Sequence, residues 1–114
     1  MPGFRPTALV IHPDAQPAYD ALEAAALEKA QPAAAIWKSF RAAVARIKLD
    51  GQWGEVIPSA RIPAHFRKYG LTNLYCIDLA DFHRCFYTLR NRDVIFLDLV
   101  DHRKYDKWFP GRGR

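Results

Sequence analysis

Three apolar segments in the last third of the chain predict consecutive β-strands. They cover residues 73–79, 84–89 and 93–100, and each combines aromatic and β-branched side chains with leucine. Only a few mostly polar residues separate one segment from the next, which favours an antiparallel meander. The third segment is almost continuously apolar, so we expect it to be buried on both faces of a sheet.

The first half of the chain shows helical periodicity after one short strand. Residues 7–12 are apolar and partly β-branched, and Pro13 ends them as a predicted strand. Residues 15–29 are rich in Ala, Leu and Glu, which predicts a helix. A second helix is predicted from Pro32 to Asp50, and its apolar stripe consists of Ile36, Phe40, Ala43, Val44 and Ile47. We expect the two helices to form a hairpin that packs on the sheet, which gives a mixed α/β (α+β) fold.

The segment between the second helix and the meander carries weaker signals. Residues 55–58 predict a short extended piece. Residues 62–70 predict one short helix, with Pro63 at its start and Gly70 just past its end.

Length and composition limit the kind of protein. A chain of 114 residues has no room for two independent cores, so we expect a single domain over residues 1–114. Half of the residues are hydrophobic and a quarter are charged, as in ordinary folded proteins. No apolar run approaches the roughly 20 residues that span a membrane, and the first residues lack the layout of a signal peptide. We therefore expect a soluble, cytoplasmic protein without a membrane partner.

The cysteines and histidines do not form a metal-binding pattern. Cys76 and Cys85 lie in neighbouring predicted strands, where we favour buried free thiols over a cross-strand disulfide. The four histidines are scattered and give no zinc-site spacing. We predict no metal and no other cofactor.

Positive charge is concentrated in the half of the chain that holds the predicted meander. Residues 1–60 carry six basic and six acidic side chains, whereas residues 61–114 carry eleven basic and six acidic ones. The formal net charge of +5 therefore belongs to the second half. Such a surface attracts nucleic acid or an acidic protein, and the alternative is a solvated basic surface without a ligand.

Arg84 begins the middle strand of the meander. Side chains alternate along a strand, so one face should meet the helices and the other should line a concave or exposed surface. A guanidinium group near the rim of the sheet is suited to binding a phosphate. The alternative is a salt bridge to Asp78 or Asp81 in the same hairpin.

An imidazole, two cations and a phenol follow the third predicted strand, as His102, Arg103, Lys104 and Tyr105. RNA cleavage without a metal requires a base for the 2′-hydroxyl, an acid for the leaving oxygen and cations for the charged transition state. His102 suits the first two roles, Arg103 and Lys104 suit the third, and Tyr105 could stack a base or orient the phosphate. The alternative is a solvated turn whose Tyr105, with the two aromatic residues that follow, packs the tail onto the sheet.

The segment NLYCIDLADFHRCFYTLRNRDVIFLDLVDHRKYD, residues 73–106, resembles the RelE/ParE toxin superfamily. The likeness rests on Arg84 three residues before Tyr87 and on the terminal pair His102 and Tyr105. The order of strand, two helices and meander is similar to that family over about residues 8–109. The resemblance implies a RelE-like fold, in which an N-terminal strand and a helical hairpin pack on a small twisted antiparallel sheet.

The resemblance also implies a function and its partners. Many members are toxins of type II toxin–antitoxin systems. The RelE branch cuts mRNA in the ribosomal A site without a metal, the ParE branch inhibits DNA gyrase, and a cognate antitoxin neutralises either kind. We therefore expect a ribosome-dependent mRNA endonuclease with ribosome-bound mRNA and an antitoxin as partners. The resemblance implies that Arg84 corresponds to the family arginine that contacts the scissile region and that His102 corresponds to a C-terminal basic or histidine residue. Tyr105 corresponds to the terminal tyrosine, with a shorter spacing after His102 than in several branches, and we expect these three residues to be catalytic.

One departure from the family pattern keeps other hypotheses open. RelE has lysines on the strand before this arginine, whereas residues 74–79 contain none. The cations that could compensate in binding RNA are Arg61, Arg67 and Lys68. The second hypothesis is a non-catalytic ParE-like gyrase inhibitor, or a decayed toxin that acts only as a protein-binding module. The third is a basic nucleic-acid-binding domain without catalysis.

Overall fold

The computed structural model describes residues 3–110, so the two ends of the predicted domain lie outside the described range. These residues form a five-stranded sheet with α-helices and two 3-10 helices, which confirms the mixed α/β class. The strands are β1 (Ala8–Ile11), β2 (Glu55–Val56), β3 (Tyr75–Asp78), β4 (His83–Arg90) and β5 (Asp93–Asp101). The helices are α1 (Gln16–Leu27), α2 (Ala33–Leu49), α3 (His102–Trp108) and the 3-10 helices Ser59–Arg61 and Ala64–Tyr69.

The strands follow the order β1-β5-β4-β3-β2 across the sheet. The three predicted strands of the meander are confirmed as β3, β4 and β5, which pair antiparallel. The predicted extended piece is also found, because β2 extends the meander by pairing antiparallel with β3. β1 joins the other edge and runs parallel to β5, so the sheet is mixed rather than wholly antiparallel. The connection between these two parallel strands is long, as parallel pairing requires, and it contains the helical hairpin, β2, β3 and β4.

The helical hairpin covers one face of the sheet, as predicted. Four residues of the predicted stripe on α2 are buried, and the fifth, Val44, is half-buried. Tyr19 of α1 is fully buried, and its hydroxyl donates a hydrogen bond of 2.8 Å to the carbonyl oxygen of Leu97 on β5. We call the apolar residues between the helices and the sheet the helix-face core. Its strand residues are Tyr75, Ile77, Cys85, Tyr87, Val94 and Phe96.

The opposite face of the sheet is also covered, which corrects the expectation of an open surface there. A second set of buried residues packs between the sheet, the 3-10 helices and α3, and we call it the second-face core. Its members are Ile57, Phe66, Leu74, Cys76, Phe86, Leu97, Val100, Tyr105 and Phe109. Because both faces are occupied, β5 is buried on two sides as its apolar sequence predicts.

The elements on the second face are short. The residues that follow the third predicted strand form the helix α3. Asp101 caps this helix by accepting a hydrogen bond of 3.1 Å from the backbone N–H of Lys104. The helix predicted over residues 62–70 is a 3-10 helix, preceded by Pro63. It ends at Gly70, whose φ of +63° lies in the left-handed region that favours glycine.

A β-bulge in β5 changes which side chains face each core. Cys85 pairs with Leu99 and Tyr87 pairs with Phe96, so β5 has one more residue than β4 at this point. The extra residue allows two consecutive side chains of β5, Leu97 and Asp98, to lie on the second face. Leu97 packs in the second-face core, and Asp98 accepts a hydrogen bond from Tyr69 of the 3-10 helix.

Cys76 and Cys85 are buried and are not joined in a disulfide, and they belong to different cores. Burial raises the pKa of the Cys85 thiol, which makes it an inert core residue rather than a nucleophile. Among residues 3–110, no helix has the length and apolar character needed to cross a bilayer.

Candidate functional site

Arg84 and Tyr105 are in direct contact, although 20 residues separate them in sequence. Arg84 lies opposite Val100 in the β4–β5 pair, and α3 begins soon after Val100 and turns back over the second face. The guanidinium carbon of Arg84 lies 4.0 Å from the centre of the Tyr105 ring. This cation–π contact fixes the orientation of the guanidinium plane.

Arg84 also forms the predicted salt bridge, and its partner is Asp78. The Nε atom of Arg84 donates to Oδ1 of Asp78 over 2.8 Å. Within residues 3–110, the two terminal nitrogens of this guanidinium have no hydrogen-bond partner. The side chain of Arg84 is 28% exposed and that of Asp78 is 78% exposed, so solvent weakens their attraction. Arg84 is therefore held in place but keeps donors with which it could bind an anion.

Tyr105 belongs to the second-face core. It is 8% exposed, its ring lies 4.6 Å from the ring of Phe109, and it stacks over Phe86 at 6.4 Å. The packing alternative from the sequence therefore holds for Tyr105 and Phe109. The half-buried ring of Trp108 packs here too, 5.1 Å from Phe66. A buried ring cannot stack on a nucleobase, so the contribution of Tyr105 to the site is the support of Arg84.

His102 is the first residue of α3, and its side chain is exposed. His83 pairs with Asp101 and Arg84 pairs with Val100, so the strand register brings Arg84 and His102 to the same end of the β4–β5 ladder. The ring of His102 lies edge-on to the ring of Phe82, with 5.8 Å between centres. Arg103 and Lys104 follow on the exposed first turn of α3.

Two shallow clefts lie beside the turn between β3 and β4, and both are bordered by Asp81, Phe82 and His83. One has a volume of about 330 Å3 and includes Arg84. The other has a volume of about 300 Å3 and includes His102 and Arg103. We call these two clefts and the side chains that border them the hairpin-end site.

The charges at the hairpin-end site are mixed. The hydrogen bond from the Lys104 N–H lowers the pKa of Asp101, and Coulomb interactions with His83, His102 and Arg103 act in the same direction. Asp101 is thus an anion that serves as a helix cap, and Asp78 is an anion that pairs with Arg84. Asp81, the third acidic residue of the site, borders both clefts, and its Oδ2 lies 4.0 Å from Nδ1 of His83.

The other predicted RNA-binding cations lie on other surfaces. Arg61 lines a cleft of about 500 Å3 beside Trp108, and Arg67 lines a further cleft next to Gly70. The amine of Lys68 lies 5.1 Å from the centre of the Tyr69 ring. None of these three cations borders the clefts of the hairpin-end site.

One polar cluster on the second face was not predicted from the sequence. Nε2 of His65 is hydrogen-bonded to Oδ2 of Asp98, and the hydroxyl of Tyr69 donates to Oδ1 of the same carboxylate over 3.1 Å. Trp108 stacks on His65 with 4.6 Å between ring centres. Burial and the Asp98 charge raise the pKa of Tyr69. Asp98 is the sequence feature that could have indicated this cluster, because it is an acidic residue inside an otherwise apolar strand.

This cluster connects the 3-10 helix Ala64–Tyr69 to β5. Histidine–carboxylate pairs also serve as general bases in enzymes. Here the imidazole packs against Trp108 and lies edge-on to Phe66, which indicates a structural link between the sheet, the 3-10 helix and α3. Within residues 3–110, no group of three or more His, Cys, Asp or Glu side chains is arranged to hold a metal ion.

Comparison of the chain with protein-family models, with curated proteins and with solved structures gave no significant match.

Proposed function

We propose that this chain is a RelE-like toxin of a type II toxin–antitoxin system that cuts ribosome-bound mRNA without a metal. The observation that carries the proposal is the strand register that brings Arg84 and His102 to one end of the β4–β5 ladder. The order of β1, helical hairpin and antiparallel meander supports a RelE-like fold. The exposed cations Arg103 and Lys104 support an anionic ligand at this place.

In this mechanism the RNA backbone lies across the hairpin-end site. His102 is the general acid or base, because its imidazole is exposed at the start of α3 and histidine is the side chain most often used for proton transfer in enzymes. The terminal nitrogens of Arg84 bind the phosphate and stabilise the negative charge that develops on it. Tyr105 is a positioning residue, since it holds the guanidinium of Arg84 and does not touch the RNA. Arg103 and Lys104 attract and place the strand.

Cleavage of mRNA in stalled translation complexes tests this proposal. Attack by the 2′-hydroxyl leaves a 2′,3′-cyclic phosphate or a 3′-phosphate on the upstream fragment, whereas hydrolysis by an activated water commonly leaves a 3′-hydroxyl. We expect the cyclic or 3′-phosphate end, and we expect Arg84→Ala and His102→Ala each to lower the rate roughly a hundredfold or more. Arg41→Ala is the matched control, because Arg41 is an exposed arginine on α2.

Circular dichroism spectra must be the same for all variants, so that a loss of rate reports on chemistry and not on folding. Full activity of the double variant Arg84→Ala/His102→Ala would remove both residues from the mechanism. RNA binding without cleavage by the wild type would instead support a basic nucleic-acid-binding domain.

A second candidate function is a non-catalytic ParE-like gyrase inhibitor or a decayed toxin that only binds protein. The contacts of Arg84 favour it, because Nε already pairs with Asp78 and one side of the guanidinium is covered by Tyr105. The absence of lysine on β3 points the same way. Induction in cells separates the two: an endonuclease arrests growth with fragmented mRNA, whereas a gyrase inhibitor stalls replication with intact mRNA. Rescue of growth by a small acidic protein encoded beside this chain would identify the antitoxin.

A further inference from the structure

Phe82 lies at the tip of the turn that joins β3 to β4. This residue is 74% exposed, more than any other Phe, Trp or Tyr among residues 3–110. The turn is closed by a hydrogen bond of 3.2 Å from the His83 N–H to the Ala80 carbonyl oxygen. The two central residues, Asp81 and Phe82, have φ values of +55° and +57°.

This backbone conformation is unfavourable for phenylalanine. Turns with positive φ at both central residues favour Asn, Asp or Gly, because a Cβ and a bulky side chain crowd the left-handed backbone. Asp81 suits its position, and Phe82 does not. The neighbouring turn between β4 and β5 shows the usual solution, since its left-handed residue is Asn91 with φ of +59°.

The side chain of Phe82 contributes little to the packing of the fold. Phe82 belongs to neither core, and among residues 3–110 the only aromatic ring in contact with it is that of His102. The ring of Phe82 therefore adds no packing to the hairpin. The left-handed backbone at this bulky residue lowers the stability of the turn. Such a residue in a strained conformation points to a role outside folding.

The surroundings of Phe82 indicate what it binds. The two clefts of the hairpin-end site share this side chain together with Asp81 and His83. Asp78 and Arg84 border one cleft, and Asp101, His102 and Arg103 border the other. An exposed ring flanked by cations matches single-stranded nucleic acid, because a base stacks on the ring while the cations hold the adjacent phosphates. A protein partner would instead require further exposed apolar groups around the ring, whereas both clefts are bordered mainly by charged residues and histidines.

We propose that Phe82 is a nucleobase-stacking residue that holds one unpaired base of the RNA beside Arg84 and His102. The inference rests on the proposed function, and it deepens that function by naming the element that would place the nucleotide. Stacking is tolerant of base identity, so Phe82 would fix the position of the strand and not a particular sequence.

A double-mutant cycle between the side chain and the base tests the proposal. The variants are Phe82→Leu, which keeps an apolar side chain without a π face, Phe82→Trp, which keeps the π face, and Phe82→Gly, which suits the turn. The second partner is an mRNA with one abasic nucleotide, moved stepwise through the cleavage region. Loss of one stacked base typically costs about tenfold or more in binding.

We expect Phe82→Leu and Phe82→Gly to lower kcat/KM about tenfold and Phe82→Trp to retain activity. One abasic position should lower wild-type cleavage by a similar factor and leave Phe82→Leu unaffected, which is the signature of a direct contact. The Tm of Phe82→Gly should be no lower than that of the wild type, because glycine relieves the left-handed strain. A loss of function without a loss of stability is not expected of a purely structural residue.

A second readout separates failure of this inference from failure of the proposed function. Binding of a fluorescent single-stranded RNA oligomer is measured for the wild type, Phe82→Leu and Phe82→Trp. If the wild type does not cut mRNA but binds RNA in a Phe82-dependent way, the endonuclease proposal fails and the stacking residue stands. If Phe82→Leu cuts and binds like the wild type, the stacking residue is overturned and the endonuclease stands. Unchanged RNA binding with lost growth arrest would mark Phe82 as a protein contact and would also overturn the proposal.

Discussion

The two faces of the sheet are covered in different ways. The helix-face core is built on α1 and α2, which are 12 and 17 residues long, whereas the longest element on the second face is the seven-residue α3. Helices as short as α3 are unstable alone in water. The second face is therefore held by its aromatic packing and not by helix propensity. Since Arg84 and Tyr105 meet on that face, the candidate site depends on short elements that are held in place by aromatic packing.

The largest expected effect comes from truncating the aromatic centre of the second face. Phe86 is fully buried and contacts the rings of Phe66, Tyr105, Trp108 and Phe109. We expect Phe86→Ala to lower the free energy of unfolding by about 3–5 kcal/mol, because it leaves a cavity where the ring of Phe86 packed. Urea unfolding followed by circular dichroism measures the change.

Two further substitutions, one in the helix-face core and one at an exposed position, show whether the second face is packed as firmly as the helix face. Phe40→Ala removes a ring of 5% exposure from the helix-face core and should cost a similar amount. Phe82→Ala removes an exposed ring and should change stability by less than about 0.5 kcal/mol. A cost for Phe86→Ala as small as that for Phe82→Ala would mean that the second face is not a fixed core.

An intermediate effect is expected from the polar cluster that connects the second face to β5. Asp98→Ala leaves Nε2 of His65 and the hydroxyl of Tyr69 without their shared acceptor. Because the site is only partly buried, we expect a loss of about 1–2 kcal/mol. Tyr69→Phe removes one of the two hydrogen bonds and should cost less than Asp98→Ala.

The same pair of variants can distinguish a structural cluster from a catalytic one. A structural role predicts that mRNA cleavage by Asp98→Ala, measured well below its Tm, stays within a few-fold of the wild type. A loss as large as that of His102→Ala at unchanged folding would identify Asp98 as part of the catalytic machinery.

The helix-face core was the more predictable of the two from sequence. Its stripe recurs at helical spacing over one continuous segment, and that periodicity is a direct consequence of burying one side of a helix. The members of the second-face core come from short segments far apart in sequence, such as Ile57, Phe66 and Phe109. No period connects such residues, so their association is set by tertiary packing that a local pattern does not contain.

The candidate site was predicted in part for the same reason. The short hairpin was enough to predict Asp78 or Asp81 as an alternative partner of Arg84, and in the structure the partner is Asp78. The contact of Arg84 with Tyr105 required knowing that residues 102–108 form a helix that turns back over the sheet. The role of Asp98 depended on the bulge in β5, which no residue type in the strand signals.

The smallest expected effect concerns the charge of the cap on α3. The folded protein lowers the pKa of Asp101, so folding favours the ionised form. This contribution to stability is fully present above the usual pKa of 3.8 and is lost as the pH falls through the lowered value in the folded state. Asp101→Asn keeps a cap acceptor without a charge, so its stability should lack this pH dependence.

Urea unfolding of the wild type and Asp101→Asn at several pH values measures the effect. The wild type should be slightly more stable near neutral pH, and the difference should shrink as the pH falls below 3.8, where the carboxyl becomes protonated. Tyr105 lies on the same short helix, so loss of the cap in acid should loosen the support of Arg84 before the helix-face core unfolds. A difference between the two proteins that stays constant from neutral pH down to strong acid would show that the charge of Asp101 does not stabilise α3, and that packing alone keeps the second face in place.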